Sequence, residues 1–474
     1  MVYRYTLILW ATFLMCPGYT IGQTDLEVPA DIVFKNARVI EGTGSIYTQA
    51  VVVIRDGHIL SISEDPYMEA DGSLWRSDWQ AGSYGLNMPW EVAQSYEQDM
   101  ELDDLEASGD SSKRPHMVID LAGMTLMPGI IDTHVHLVDS ISDTVNGSAY
   151  DPSMSNVARK LNAYLDHGVT TIKSMGDPLD EIIRIRDSVR SGKLNGPRIL
   201  TVGPMLTISG TGESTAAAIY RQRSQPKVGT SEAIASPDDA IQTVRHLAWK
   251  GVDAIHVDLC ESSSSMPMLV ESVYSREILS AIVDQAHREG LTISAYTVEE
   301  PIALMAISLG FDGLEHGVTR SWLSDTRLER SLGMQNVGYA PALGVYARLM
   351  PESMQAAREN LDNLAKENAV RIVLGSDTFG LAEPGLNTIQ ELRMMVQAGM
   401  TPARAVQAAT YDAAQHVGIS DETGSIQVGK RADLIILEQD PFEDISALFD
   451  ITMVVKYGVI VTDNRESGTR PNMR

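Results

Sequence analysis

The middle of this chain alternates short apolar runs with segments of helical periodicity. The apolar runs recur eight times and have the lengths of buried strands: 128–136, 169–176, 198–203, 253–259, 292–297, 312–317, 338–343 and 371–377. Most gaps between them carry a helical pattern, as at 237–250, 275–289 and 354–368. Eight strand-then-helix units predict an α/β protein built on a (β/α)8 TIM barrel. An open doubly wound sheet is the alternative, but no G-x-G-x-x-G motif opens a helix after the first strand.

Both ends of the chain carry a different pattern, which is typical of short β-strands. Near the start, 31–40 and 50–59 are apolar and β-prone, and Asp56-Gly57 forms a strong hairpin-turn signal. Near the end, 424–437 and 451–460 have the same character. Strand-rich ends on either side of one long middle predict a small β-sandwich domain formed from both termini.

Residues 64–114 break both patterns. This segment has thirteen acidic residues against three basic ones, yet it contains Trp75, Trp79 and Trp90. We interpret it as a surface insertion partly docked through its tryptophans; an acidic loop without stable structure is the equal alternative. The predicted domain organisation is a signal peptide at 1–22, the N-terminal sandwich part at 23–63 and 115–127, the insertion at 64–114, the barrel at 128–418 and the C-terminal sandwich part at 419–474.

Composition narrows the class of protein. The 474 residues are 44% hydrophobic and 21% charged, which is typical of a soluble globular protein. Thirty-seven basic residues against sixty-three acidic ones leave a net charge of −26. Because such a surface repels a phosphate backbone, we expect no nucleic-acid partner.

The N-terminus has the features of a secretory signal peptide. Arg4 precedes an apolar run at 6–15, and the small-residue pattern at 20–22 provides a cleavage site. The run is too short for a membrane span, and Met15 is too large for lipoprotein anchoring at Cys16. We therefore expect an exported protein, periplasmic or secreted. Removal of the signal leaves Cys260 without an intrachain disulfide partner.

Polar side chains that suit a metal site end several of the predicted barrel strands. His134 and His136 close the first strand, and because alternate residues share a face they can converge on one point. Further such residues lie in the fourth, fifth, sixth and eighth strands: His256, Tyr296, His316 and Asp377. The carboxyl ends of barrel strands meet at one rim. Imidazole and carboxylate groups there predict a divalent metal site, whereas the histidine pair alone would more simply be structural. The other six histidines fall in helices, turns or terminal strands and are expected to be structural or solvent-facing.

The chain resembles the amidohydrolase superfamily, and in particular its imidazolonepropionase- and Xaa-Pro-dipeptidase-like branch. The motifs that carry the resemblance lie at 127–136, 196–200, 313–317, 374–377, 399–405, 409–414 and 424–434. The resemblance implies that the first-strand histidine pair and the last-strand aspartate hold one divalent ion. It also implies a second ion, bridged by a carboxylated lysine on the fourth strand and held by histidines of the fifth and sixth strands.

Two positions depart from that pattern. His256 stands where the bridging lysine is expected, and Tyr296 stands where a histidine is expected. A neutral imidazole has one lone pair and cannot bridge two ions as a carbamate does. Lys250 lies six residues from His256, too far along the strand to substitute. The loop at 209–213 also lacks a histidine common in relatives, and Lys173 replaces a more usual arginine.

We therefore predict one zinc-type ion per chain, with His134, His136 and Asp377 as ligands and either His256 or His316 completing the shell. Asp377 is expected to act as general base and then general acid. Tyr296 or His316 would polarise the scissile carbonyl.

The predicted activity is that of an exported metal-dependent hydrolase of amide, peptide or cyclic C–N bonds, with dipeptides or N-acyl amino acids as small-molecule substrates. The family resemblance also allows a homo-oligomer. Two alternatives remain: a site-altered relative that binds a ligand or partner without hydrolysis, and a changed reaction such as a lyase or decarboxylase step.

Overall fold

A computed structural model describes residues 31–64, 116–138, 154–208, 229–259, 275–367, 369–379 and 382–465. Several sequence predictions lie outside these ranges. They are the signal peptide, the insertion apart from Glu64, the loop at 209–213, and both cysteines.

Within the described ranges the chain forms eighteen strands: β1 (Asp31–Ile40), β2 (Ile46–Arg55), β3 (His58–Glu64), β4 (His116–Asp120), β5 (Thr125–Pro128), β6 (Ile130–Val135), β7 (Val169–Ser174), β8 (Arg198–Thr201), β9 (Met205–Ile208), β10 (Ser231–Ile234), β11 (Ala254–Asp258), β12 (Thr292–Tyr296), β13 (Gly313–Glu315), β14 (Gly338–Ala340), β15 (Arg371–Ile372), β16 (Leu434–Leu437), β17 (Ile451–Lys456) and β18 (Val459–Asp463).

The same ranges contain eleven α-helices: α1 (Met154–Asp166), α2 (Leu179–Arg190), α3 (Pro237–Lys250), α4 (Arg276–Arg288), α5 (Glu300–Leu309), α6 (Arg327–Gln335), α7 (Leu343–Leu349), α8 (Met354–Ala365), α9 (Leu386–Gln397), α10 (Pro402–Ala408) and α11 (Tyr411–His416). Two short 3₁₀ helices cover Pro351–Ser353 and Ile445–Phe449.

The middle of the chain has an α/β fold with parallel strands. Among the described residues, β6, β7 and β8 form one parallel sheet, and a second runs in the order β10-β9-β11-β12-β13-β14-β15. Each of the eight predicted apolar runs contains one of these strands. The predicted helices at 237–250, 275–289 and 354–368 correspond to α3, α4 and α8. The alternation of strands and helices is therefore confirmed.

Backbone hydrogen bonds join the two parallel sheets at both sides. The segment after β15 pairs with β6, because the amide of Asp377 donates to the carbonyl of His134 and the amide of His136 donates to that of Thr378, each at 2.9 Å. On the other side, the amide of Asp253 donates to the carbonyl of Thr201 at 2.8 Å, which links β8 to the start of β11. The carboxyl ends of the first and last strands therefore lie side by side.

Strands from both ends of the chain form a separate mixed sheet, in the order β18-β17-β16-β5-β1-β2-β3 with β4 beside β1. The antiparallel pairing of β5 with β16 connects the two ends. The predicted Asp56-Gly57 turn is confirmed between β2 and β3, with φ values of 50° and 78°. A side chain at Gly57 would lie 2.7 Å from the carbonyl oxygen of Tyr457, so this position requires glycine.

The predicted strand at 424–437 is wrong over most of its length, because only Leu434–Leu437 is a strand. Gly424 and Gly429 have φ values of 88° and 87°, which are incompatible with an extended strand. The predicted strand at 451–460 is divided into β17 and β18 by a turn at Tyr457 and Gly458, where φ is also positive.

Helix ends in this fold follow local capping chemistry. Helix α3 begins after Ser236, whose hydroxyl accepts from the amide of Asp239, and Pro237 occupies the first turn. It ends at Gly251, which takes the left-handed conformation. In the part of the chain that the structure describes, no helix is both long and apolar enough to cross a bilayer.

Candidate metal centre

Three of the predicted ligands converge at the carboxyl ends of β6 and β15. His136 Nε2 lies 3.0 Å from Asp377 Oδ1, and His134 Nε2 lies 3.6 Å from the same oxygen. One ligand atom from each residue lies within 4.8 Å of the other two. Such spacing allows all three to share one coordination sphere.

The donor set fits a divalent ion of the zinc type. Two imidazole nitrogens and one carboxylate oxygen are preferred zinc ligands, and three protein ligands leave a position for water or substrate. Asp377 Oδ1 is buried and makes no hydrogen bond of acceptable geometry among the described residues, although His136 Nε2 is close. An ion at the centre of the group would satisfy this oxygen.

His316 lies at the edge of this group. Its Nε2 is 3.6 Å from Asp377 Oδ2, and its Nδ1 has no hydrogen-bond partner among the residues described. Burial lowers the pKa of His316 to about 4 despite the nearby Asp377 carboxylate, so the ring is neutral at pH 7. A neutral imidazole so placed can bind the ion as a fourth ligand or hydrogen-bond the substrate.

His256 and Tyr296 line the same site but lie outside the converging group. The ring centroid of His256 is 5.9 Å from that of His134, and its Nδ1 lies 3.0 Å from the Ser294 hydroxyl. Burial lowers the pKa of His256 well below its ordinary value, so it is neutral too. The centroid of the Tyr296 ring lies 4.0 Å from the centroid of the His316 ring. Of the two predicted candidates for the fourth ligand, His316 is therefore nearer to the group.

Two of the site residues have unusual backbone conformations. His316 has φ of 69° and Asp377 has φ of 45°, the left-handed region that non-glycine residues rarely adopt. Such positions cost about 1–3 kcal/mol each and cluster at functional sites. Hydrogen bonds hold both in place: the Tyr346 hydroxyl donates to the His316 carbonyl, and the Asp377 amide donates to His134.

Burial would raise the pKa of the Asp377 carboxyl, but the close contact with the His136 imidazole and the neighbouring His316 and His134 rings hold it below its ordinary value. Asp377 is therefore ionised near neutral pH and can act as an anionic ligand and proton acceptor.

Sequence reasoning missed Glu315, which contacts His134 directly. Its Oε2 lies 2.9 Å from His134 Nδ1, and its Oε1 lies 3.5 Å from the Lys173 ammonium. Burial alone would raise the pKa of Glu315, but Lys173 and the hydrogen bond from His134 hold it well below its ordinary value. Since alternate strand residues face opposite sides, an inward His316 predicts an outward Glu315. The left-handed φ of His316 removes that alternation, so both side chains face the site.

Asp132 was also missed. Its carboxylate is buried and accepts four hydrogen bonds, from the amides of His134 and Ser376 and the hydroxyls of Ser376 and Thr388. It ties β6 to the segment that carries Asp377 and to the start of α9. An acid inside an apolar strand was the available signal, because buried acids are nearly always paired.

The two lysines considered from sequence lie apart. Lys250 is the last residue of α3 and pairs with Asp180 at 2.8 Å, so it lies on a helix and not at the far end of the fourth strand as predicted. Lys173 is buried on β7 and pairs with Glu315.

His416, predicted to be structural, is buried on α11 below the site. Its ring fills space that exists because Gly313 and Gly338 have no side chains; a Cβ there would lie 2.5 Å and 2.3 Å from the ring. Burial lowers the pKa of His416 to about 3.

We expect His416 to make stability fall as pH falls. Between pH ~6.5 and ~4 the unfolded chain binds a proton at His416 that the folded chain does not, which lowers the free energy of unfolding by up to about 1.4 kcal/mol per pH unit. The His416→Gln variant should show a shallower slope in urea unfolding between pH 7 and 5. His246→Gln, on the exposed side of α3, is the matched control and should keep the wild-type slope. Equal slopes for His416→Gln and wild type would contradict this assignment.

Parallel strands with a His-His-Asp group at their carboxyl ends are the arrangement expected of an amidohydrolase-type enzyme. The chain belongs to the amidohydrolase family, whose model matches residues 125–461. It is thus a hydrolase of amide or other carbon–nitrogen bonds, and the resemblance inferred from its motifs is confirmed.

Individual relatives agree with this assignment. Ochratoxinase from Aspergillus niger is 28% identical over 358 residues, covering 68% of this chain and 71% of the relative. Imidazolonepropionase from Brevibacillus brevis is 24% identical over 432 residues, covering 82% and 90%. The crystal structure of a Xaa-Pro dipeptidase with bound methionine in the active site superposes with a TM-score of 0.68 at 22% identity, covering 91% of this chain and 99% of that one. This last likeness supports the fold.

Proposed function

We propose that this protein is a hydrolase with one divalent ion. His134, His136 and Asp377 hold the ion, and His316 is the fourth side chain at the ion, as a ligand or as a hydrogen-bond donor to the substrate. The observation that carries the proposal is the convergence of the first three within 4.8 Å of one another. Zinc is the ion that this donor set suits best.

We infer a single ion from the donors that surround the group. A second ion would need donors at His256 and Tyr296. The Nδ1 of His256 contacts the Ser294 hydroxyl, which leaves one ring nitrogen, and one imidazole nitrogen cannot bridge. Tyr296 offers a phenol in place of an imidazole. These donors are too few for the bridged pair of ions that a carboxylated lysine supports.

A divalent ion in this position supplies Lewis acidity and lowers the pKa of a water towards neutral. The two oxygens of Asp377 have different surroundings. Oδ1 faces His134 and His136, whereas Oδ2 faces His316 at 3.6 Å. We assign metal ligation to Oδ1 and proton transfer to Oδ2, which takes a proton from the attacking water and delivers it to the leaving nitrogen.

The neutral groups beside Asp377 suit the scissile carbonyl. His316 and Tyr296 are in tilted ring contact and both are buried, so a hydrogen bond from either to a developing oxyanion acts in a water-poor environment. The retained ligand group favours hydrolysis over ligand binding without chemistry.

We further propose that the two parallel sheets close into a (β/α)8 barrel spanning 128–418, with the terminal sheet completing a sandwich. The backbone bonds on both sides of the three-stranded sheet support closure. Export through the 1–22 signal peptide, to the periplasm or outside, remains part of the proposal, as does assembly into a homo-oligomer.

For the substrate we propose a small molecule with an amide bond, of the dipeptide or N-acyl amino acid type. The support is that relatives are named as an ochratoxinase and an imidazolonepropionase, and a solved structure as a Xaa-Pro dipeptidase.

The test is a panel of dipeptides and N-acyl amino acids assayed with purified protein, before and after removal of metal with a chelator. We expect turnover of at least one class, loss of turnover after chelation and recovery with Zn²⁺. Turnover that persists in fully metal-free protein would contradict the proposal, as would a metal-loaded protein that hydrolyses nothing on the panel.

A further inference from the structure

Three buried side chains form a line leading away from the candidate ion position. His134 Nδ1 contacts Glu315 Oε2 at 2.9 Å, and Glu315 Oε1 lies 3.5 Å from Lys173 Nζ. The three side chains are 2%, 0% and 5% exposed. They come from three different strands, β6, β13 and β7. Burying a charged side chain costs free energy unless it is paired, so these three side chains stabilise one another.

The two ring nitrogens of His134 face different carboxylates. Nδ1 contacts Glu315, while Nε2 points to Asp377 Oδ1 at 3.6 Å. An ionised carboxylate only accepts hydrogen bonds, so a neutral His134 ring beside Glu315 carries its proton on Nδ1 and turns the lone pair of Nε2 towards the candidate ion position. The tautomer and the ring orientation that ligation needs are therefore set before any ion arrives.

Lys173 contacts the far oxygen of the same carboxylate and none of the three proposed ligands. Its positive charge balances the negative charge of Glu315 in a buried region. The ring of His416 is packed nearby, between Gly313 and Gly338.

We propose that Glu315, held in place by Lys173, is a positioning residue that orients His134 and strengthens its Nε2 as a metal ligand. This inference rests on the proposed metal centre and adds to it two residues outside the ligand group. Partners of this kind typically change metal affinity by about 10- to 100-fold when they are removed.

The test measures Co²⁺ and Zn²⁺ affinity of the full-length protein by competition with a chromophoric chelator, together with the visible absorption of bound Co²⁺. Glu315→Gln should weaken binding by about 10- to 100-fold and alter the Co²⁺ spectrum. Lys173→Met should weaken binding in the same direction, and Lys173→Arg should restore it to within a few-fold of wild type. If Glu315→Gln fails to fold, Glu315→Asp serves instead, since its shorter side chain keeps the charge but not the contact.

The matched control is Asp433→Asn. Asp433 is another buried carboxylate, 3.9 Å from the Arg198 guanidinium and remote from the ligands, so its replacement should lower the melting temperature and leave metal affinity unchanged. The inference is overturned if the Glu315 and Lys173 variants behave like this control. Failure of the metal centre gives a different result, because wild-type protein would then bind no Co²⁺ at all, and both proposals would fall together.

Discussion

Replacement of Asp377 by asparagine should reduce kcat by about 10²- to 10⁴-fold while leaving the fold intact. The amide cannot carry a proton between the attacking water and the leaving nitrogen. Asparagine tolerates the left-handed backbone that this position requires, with φ of 45°, so the substitution adds no strain. The measurement is steady-state kinetics on the best substrate of the panel, with circular dichroism to verify folding.

Asp433→Asn serves as control here as well, since it removes a buried carboxylate far from the ligand group. Its kcat should stay within a few-fold of wild type. Retention of more than a tenth of wild-type kcat by Asp377→Asn would refute the role assigned to Oδ2.

Loss of the Asp132 carboxylate should have the largest effect on stability. Asp132→Ala leaves two amides and two hydroxyls, all buried, without their acceptor. We expect the free energy of unfolding to fall by about 3–5 kcal/mol, as for other broken buried networks. Metal affinity should fall too, because the network joins β6 to the segment that carries Asp377. Chemical denaturation of the metal-free protein measures the change in the free energy of unfolding.

Asp132→Asn is the matched variant. One carboxylate oxygen accepts from the hydroxyls of Ser376 and Thr388, which can rotate and accept from an amide group instead. The asparagine variant should therefore lose much less stability than the alanine variant. An alanine variant within 1 kcal/mol of wild type would contradict the structural role of this network.

Much of the fold could be predicted because buried parallel strands leave continuous apolar runs, and the gaps between them keep helical periodicity. The ends of helix α3 are set by residues at those ends, namely Ser236 and Pro237 at the start and Gly251 at the end, so they can be located from the sequence. The predicted strand at 424–437 failed where backbone conformation overrode an apolar pattern, since two glycines there take positive φ.

The ligand group was predictable for a related reason. His134, His136 and Asp377 each end a recognisable strand, and parallel strands bring such ends to one rim. The choice between His256 and His316 was not predictable, because it depends on distances between strands. Glu315 was hidden by the backbone of His316, whose positive φ overrides the alternation rule.

Asp132 was hidden by sequence separation, since its main partner Ser376 lies 244 positions away. The acid inside an apolar strand indicated that Asp132 is paired, but it did not identify the partner.

Inductively coupled plasma mass spectrometry of purified, dialysed wild-type and His136→Ala protein measures directly whether His134, His136 and Asp377 hold one ion. We expect about one divalent ion per wild-type chain, because three residues form one coordination group, and almost none in the variant. Close to two ions per wild-type chain, or undiminished metal in the variant, would contradict it.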